Sequence, residues 1–249
     1  MYKDRKAGIS TSVGCNHKCG YCINSFQKQM KRFMPTIDKN GKKRGCQLCY
    51  DFIPHSHPER LERLKKGLLR TYEDEFIWIN SSGDIAFAEK EMMEKTLDII
   101  RTKSDRTFFF QTKNPLCYFD YNFPDNCLLG ITLETNRNEE YKENKISKAP
   151  SPSFRKIVFS ALQHRRKVVT IEPILDFDLD VFIGWIRDID PERVYIGYDT
   201  KKCGLFEPEL FKTHLLIKEL KKFTKVKTKL LREKLIPQHW RNGSSRCLT

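Results

Sequence analysis

No apolar run in these 249 residues approaches the roughly 20 that a membrane-spanning helix needs. Nor do the first residues, Met1-Tyr2-Lys3-Asp4-Arg5-Lys6, lead into the apolar core of a signal peptide. The chain is therefore expected in the cytoplasm, with no membrane partner. Internal repeats and low-complexity tracts are also missing, so no repeat architecture organises it. A disulfide framework is disfavoured too. The nine cysteines are an odd number, and a reducing compartment keeps thiols free. They are expected to divide between metal or cluster ligation and buried thiols.

Acidic residues are scarce in two stretches. Residues 28–70 hold 12 Lys/Arg against 4 Asp/Glu, and residues 212–249 hold 11 against 2. The intervening residues 71–211 hold 19 against 25, so most of the excess positive charge behind the net +14 lies in the two flanking regions. A separated basic surface is the footprint expected of a nucleic-acid binder. A lysine-rich surface that serves solubility is the alternative. Hydrophobic content of 39% and aromatic content of 12% are ordinary for a chain that buries a core.

From residue 76 a strand signal recurs, each time followed by a helical pattern. The runs 76–80, 107–112, 128–133, 168–171 and 194–197 are continuously apolar, as in strands buried on both faces of a parallel sheet. Residues 9–13 supply a first strand, and 226–231 a weaker last one. Between them, residues 88–103 place Met92, Met93, Thr96, Leu97 and Ile100 on one side of a helix. Residues 153–164 do so with Phe154, Ile157, Val158, Ala161 and Leu162. Repeating strand–helix units predict an α/β fold, either an open parallel sheet or a full or partial barrel. In both, ligands gather at the C-terminal strand ends, where Ser82, Gly83, Asp84, Gln111, Lys113, Glu134, Glu172 and Asp199 fall.

The central motif is Gly14-Cys15-Asn16-His17-Lys18-Cys19-Gly20-Tyr21-Cys22, a C-x3-C-x2-C spacing directly after the first strand. Three thiolates so spaced can wrap one corner of a cubane cluster and leave one iron without a protein ligand. A zinc site with His17 as fourth ligand is the competing reading, though His17 is cramped between the first two cysteines.

With an aromatic before its third cysteine, this motif resembles the radical S-adenosylmethionine (SAM) superfamily. The resemblance implies a partial parallel (β/α)6 barrel over residues 1–235, with a basic insertion at 23–75 and a tail at 236–249. It implies a [4Fe–4S] cluster on Cys15, Cys19 and Cys22 whose open iron chelates SAM. An electron passed to the sulfonium then yields methionine and a 5′-deoxyadenosyl radical, chemistry that the cofactor carries while the protein positions it. Tyr21 would lie against the adenine. Ser82, Gly83 and Asp84 occupy the place of the family's Gly-Gly-Glu turn, which receives the amino group of SAM, and depart from its usual form. Glu134 would meet the ribose hydroxyls, with Gln111, Lys113 and Glu172 as further contacts. For Glu134 and Glu172 a structural ion pair is the alternative, and for Gly83 a turn that needs positive φ. The family also implies an electron donor such as flavodoxin or ferredoxin. The strings 83–86, 111–115, 130–134 and 171–175 resemble a branch associated with phages and archaea, distantly similar to spore photoproduct lyase, a DNA-repair enzyme.

Within the insertion, Cys46-x2-Cys49 is followed by His55 and His57. Four ligands in twelve residues suit zinc. Contact with a substrate phosphate, a second cluster, or two buried thiols beside a helix-capping histidine are the other readings. Cys117, Cys127, Cys203 and Cys247 lack ligand spacing and are read as core or incidental. Cys203 follows a late strand, close to where a radical-quenching hydrogen donor would have to reach.

In the C-terminal region Lys218, Lys221, Lys222, Lys225, Lys227, Lys229, Arg232 and Lys234 form a cationic run. Phe223, His239 and Trp240 offer stacking groups for an unpaired base. A solvated helix face is the plainer reading of the run. Three functions are thus on the table. The first is a radical SAM enzyme on DNA or RNA. The second is one acting on a peptide or small metabolite, and the third a zinc-stabilised nucleic-acid-binding protein without catalysis.

Overall fold

The computed structural model describes residues 2–66, 70–201 and 203–234. Seven strands form one sheet: β1 (Arg5–Ile9), β2 (Phe76–Ile79), β3 (Phe108–Thr112), β4 (Cys127–Thr132), β5 (Lys167–Ile171), β6 (Arg193–Ile196) and β7 (Lys225–Thr228). They lie side by side in chain order, and every neighbouring pair is parallel. Such single winding curls the sheet into a half-barrel. Its two edges approach at the N-terminal segment, where Lys227 Nζ stands 3.4 Å from Asp4 Oδ1 and Lys229 Nζ lies 3.7 Å from the centre of the Tyr2 ring.

Alternation along the strands sorts the side chains into two layers. On the concave side Phe76, Trp78, Phe109, Leu128, Val168 and Tyr195 close around Tyr2, which fills the middle of the half-barrel. On the convex side Ile77, Ile79, Phe108, Phe110, Leu129, Ile131, Val169, Ile171, Val194 and Ile196 meet the helices. Helix Lys90–Arg101 buries Met92, Met93, Thr96, Leu97 and Ile100, as its pattern predicts.

Two expectations need correction. The first sheet strand is Arg5–Ile9, not 9–13. The chain breaks from the sheet after Ile9, and Ser12–Val13 pairs antiparallel with His55–Ser56 of the insertion instead. The weaker last strand expected at 226–231 is present as the lysine-bearing β7, which completes the edge of the seven-stranded sheet. Helix Pro152–Ala161 is turned by one position. It buries Pro152, Arg155 and Phe159 and leaves Phe154 and Ile157 exposed. The cause is Arg155, which is drawn inward by Glu134 and sets the phase of the helix.

Residues 23–75 leave the sheet between β1 and β2, as the basic insertion requires. They contain a two-stranded ribbon, Thr36–Ile37 with Lys43–Arg44, a short helix Gln47–Tyr50, and the helix Glu59–Lys66. Among the described residues no helix is long and apolar enough to cross a membrane.

Candidate active site

The loop bearing Cys15, Cys19 and Cys22 leaves Ser12–Val13 and ends in the short helix Gly20–Cys22, with Cys19 just before its first residue. Backbone contacts press it against the turn after β2. Gly14 N–H donates to the Ser82 carbonyl at 3.1 Å, and Asp84 N–H donates to the Gly14 carbonyl at 3.2 Å. A Cβ on Gly83 would stand 2.7 Å from the Gly14 oxygen. The glycine is thus needed for close approach, and the positive φ of this turn falls on Asn80 (53°).

All three thiols are free; Cys19 is buried and the other two half-buried. Burial raises the Cys15 and Cys22 thiols, Cys22 to about 11, and a charge on Cys19 would raise both further. The three therefore share one electrostatic environment. Lys113 Nζ lies 3.3 Å from Cys19 Sγ, and the Ser147 hydroxyl lies 3.2 Å from it.

Asp84 is buried beneath the loop. Its Oδ1 accepts from Thr112 Oγ1 (2.5 Å) and Ala86 N–H (3.0 Å), and its Oδ2 from Lys113 N–H (2.8 Å). His17 Nε2 stands 3.2 Å from Oδ2. Burial alone would raise this carboxyl, but His17 and these donors hold it below the ordinary carboxylate value. Cys15 Sγ, His17 and Asp84 also lie within 4.8 Å of one another.

A second polar cluster surrounds Glu134, which is fully buried. Its Oε1 pairs with Lys113 Nζ and accepts from Tyr21 Oη at 2.7 Å; its Oε2 accepts from Arg155 Nη1 at 2.9 Å. Lys113 also reaches Tyr21 Oη (2.5 Å) and Tyr141 Oη (3.1 Å). Burial works against the charged carboxylate, yet Arg155 and Lys113 outweigh it and lower Glu134 to about 2. The network ties strands β3 and β4 to the cysteine loop through Tyr21 and Cys19. Lys113 and Glu134 stand out in the sequence by their place at strand ends. Arg155 and Tyr141, which come from helices, carry no such signal.

Beside this network opens a cavity of about 350 Å³ at the C-terminal strand ends. Tyr2, Tyr21, Phe26, Trp78 and Tyr198 give it aromatic walls, and Ser81, Gln111, Thr170, Glu172, Asp199 and Lys229 its polar lining. Gln111 is held by Tyr2 Oη (2.6 Å) and Thr132 Oγ1 (2.8 Å), and Glu172 forms an ion pair with Lys229. Tyr2 had no local signal in the sequence. Ser82 N–H is taken by Ser10 Oγ at 2.9 Å. Cys203 is buried with its Sγ 4.0 Å from the Tyr21 carbonyl oxygen, so it meets the cysteine loop from the far side of the sequence. Cys117 and Cys127 belong to the core, and Cys247 lies outside the described residues.

The structure brings Cys46, Cys49, His55 and His57 together, their ligand atoms all within 4.8 Å of one another. The C-terminal cationic run is largely paired. Lys225 and Lys227 meet Asp74 (3.4 and 2.8 Å), Lys222 meets Glu219 (2.6 Å), and Arg232 meets Glu207 (2.7 Å). Lys234 pairs with Glu209, and Phe223 packs against the core. His239, Trp240 and the tail 236–249 lie outside the described residues.

No family model matches the sequence, and no curated protein matches it. Solved structures do. SuiB of Streptococcus suis, bound to the precursor peptide SuiA, superposes with a TM-score of 0.53 at 10% identity, over 92% of this chain and 49% of that one. A mutant spore photoproduct lyase with bound AdoMet and dinucleoside spore photoproduct gives a TM-score of 0.50 at 12% identity, over 87% and 61%. The chain thus spans about half the length of SuiB. It shares its fold, a curled parallel α/β half-barrel, with these two proteins.

Proposed function

We propose that this chain is a radical SAM enzyme that holds a [4Fe–4S] cluster on Cys15, Cys19 and Cys22 and acts on a nucleic acid. The observation that carries the reading is positional. Three free thiols sit on one loop at the C-terminal ends of a curled parallel sheet, beside a cavity with polar strand ends and aromatic walls. The donor set suits the cluster. Thiolates are its usual ligands, and the Lys113 ammonium beside Cys19 offsets their charge. Bound to such a cluster, SAM is the source of a 5′-deoxyadenosyl radical. The protein's own part is to brace the loop through Gly14–Gly83 and His17–Asp84, and to hold Tyr21 by its hydroxyl.

The charge distribution favours a nucleic acid as substrate. Ser25, Phe26 and Gln29 of the insertion line the cavity. Lys28, Lys31, Arg32, Lys39, Lys42, Lys43 and Arg44, next to them in sequence, are exposed. SuiB is bound to a peptide and spore photoproduct lyase to a dinucleoside. A cationic segment adjoining aromatic walls fits the second chemistry better. A lysine-lined surface near the cysteine loop suits an acidic one-electron donor such as flavodoxin or ferredoxin. Exposed Lys18, Lys142, Lys145 and Lys148 line a cavity of about 610 Å³ that reaches Ser147, next to Cys19.

The test is anaerobic purification with metal analysis, then dithionite and SAM with and without single-stranded DNA or RNA. The expected result is about four irons per chain in the cluster, a cluster spectrum perturbed by SAM, and 5′-deoxyadenosine release increased by nucleic acid. Zinc as the only metal, with SAM intact, would overturn the enzyme. Turnover stimulated by peptides alone would replace the substrate.

A further inference from the structure

We propose that Cys46, Cys49, His55 and His57 form a closed, structural zinc site that staples the insertion to the cysteine loop. Their ligand atoms converge on one point. His55 Nε2 lies 3.5 Å from Cys46 Sγ and 3.4 Å from Cys49 Sγ; His57 Nε2 lies 3.1 Å from Cys49 Sγ; the two Nε2 atoms are 2.8 Å apart. Ligands at ordinary zinc distances on a tetrahedron stand roughly 3.3–3.8 Å from one another, so these four separations need to widen by about half an ångström at most.

Proton placement strengthens the assignment. His55 Nδ1 is 2.8 Å from the Ile53 carbonyl oxygen, which can only accept, so Nδ1 carries the proton. His57 Nδ1 is 2.7 Å from the Glu59 carboxylate and carries its proton for the same reason. With Nδ1 as the protonated nitrogen, an unprotonated Nε2 on each ring turns a lone pair toward the other and toward the thiols. Facing lone pairs repel unless a cation lies between them. The outward partners are also what metal-bound imidazoles need, a carbonyl for one and a carboxylate for the other, each fixing ring orientation. Two sulfurs and two nitrogens in a tetrahedral set suit zinc, and four protein ligands leave no open position. Convergence on a single point suits one ion rather than a cluster of irons.

The site has a consequence for the neighbouring loop. His55 pairs in register with Val13, and His57 N–H donates to the Thr11 carbonyl at 2.7 Å. Cys15 N–H donates to the Phe52 carbonyl at 3.4 Å. The backbone that carries the two histidines is thus the backbone against which the loop at Cys15 is laid. Cys49 and Phe52 pack in one cluster with Val13, Cys15 and Cys22. A metal here fixes the entry to the loop without touching the reaction.

The experiment separates this site from the cluster by removing the latter. The variant C15A/C19A/C22A is purified without added metal and analysed by plasma mass spectrometry. The expected result is about one zinc per chain, in line with four ligands to one ion. Growth with cobalt should give this variant the intense visible bands of a tetrahedral thiolate–imidazole site, a readout that asks no further substitution of the fold. Within the same background H55C should retain the metal, because a Cys3His set also binds zinc, whereas C49A should lose it. Absence of metal from the triple variant, iron in place of zinc, or zinc retained in C49A overturns the proposal. The iron content and SAM cleavage of the wild type stand apart from all of these outcomes.

Discussion

Gly83 packs so tightly on Gly14 that a Cβ added to it would lie 2.7 Å from the Gly14 carbonyl oxygen and 2.9 Å from its nitrogen. Both neighbours are backbone, so neither can swing away as a side chain would. The substitution G83A must therefore push the cysteine loop off the turn after β2. Overpacking of this kind costs about 1–3 kcal/mol. The expected outcome is a modest fall in Tm with a larger fall in iron retained per chain after anaerobic purification. Wild-type iron content at a reduced Tm would show that the loop tolerates the displacement.

Glu134 offers a prediction in pH. Its carboxyl is lowered from 4.5 to about 2, with burial opposing and Arg155 and Lys113 prevailing. A depressed carboxyl stabilises the fold at pH above its unfolded value, and that contribution fades as pH falls from about 4 toward 2. Its full size is on the order of 3 kcal/mol. E134Q keeps the shape but leaves two buried cations facing a neutral amide, so it should destabilise by several kcal/mol near neutrality. Denaturation of both proteins across pH 2–7 should show the two stabilities converging at the acid end. A gap independent of pH would mean that the ion pair contributes little.

The sequence made parts of this fold plain for a physical reason. Strands buried on both faces must be apolar throughout, so β2 to β6 stand out as local runs. The edge strands do not. β1 carries Arg5 and Lys6, and β7 carries Lys225 and Lys227. Lys6 and the two lysines of β7 find their partners at Glu75 and Asp74, far along the chain. Arg155 misled the helix phase in the same way, since an arginine reads as exposed until Glu134 is known to face it. In the site, the cysteine spacings are local and legible. Tyr2 is not, because its place at the centre of the half-barrel depends on five strands closing around it.

The lysines near Cys19 predict a difference between electron sources. Lys145 and Lys148 are exposed and line the cavity that includes Ser147, whose hydroxyl is 3.2 Å from Cys19 Sγ. An acidic protein donor would be steered to them, and dithionite would not need them. K145E/K148E should slow cluster reduction by flavodoxin about tenfold or more at low salt, with the deficit shrinking as salt rises. Reduction by dithionite should be unchanged. Equal slowing with both reductants would point to damage at the loop rather than to a docking surface.

The two basic regions should behave oppositely when their charges are reversed. Lys39, Lys42 and Lys43 are exposed on and beside the ribbon of the insertion. Lys225 and Lys227 are tied to Asp74, and Lys227 also to Asp4. If the insertion tracks a nucleic-acid backbone, K39E/K42E/K43E should weaken binding to a labelled single strand. The slope of log affinity against log salt should also shrink by about 2, at roughly 0.7 per phosphate contact. K225E/K227E should instead lower Tm and leave that slope nearly unaltered, because those ammonium groups are already spent on carboxylates within the fold. Fluorescence anisotropy at several salt concentrations reads both variants. An unchanged slope in the insertion variant would falsify the nucleic-acid reading of this segment. A changed slope in the β7 variant alone would move the binding face to the closing edge of the half-barrel, where the Asp4 and Asp74 pairs would have to open before phosphate could enter.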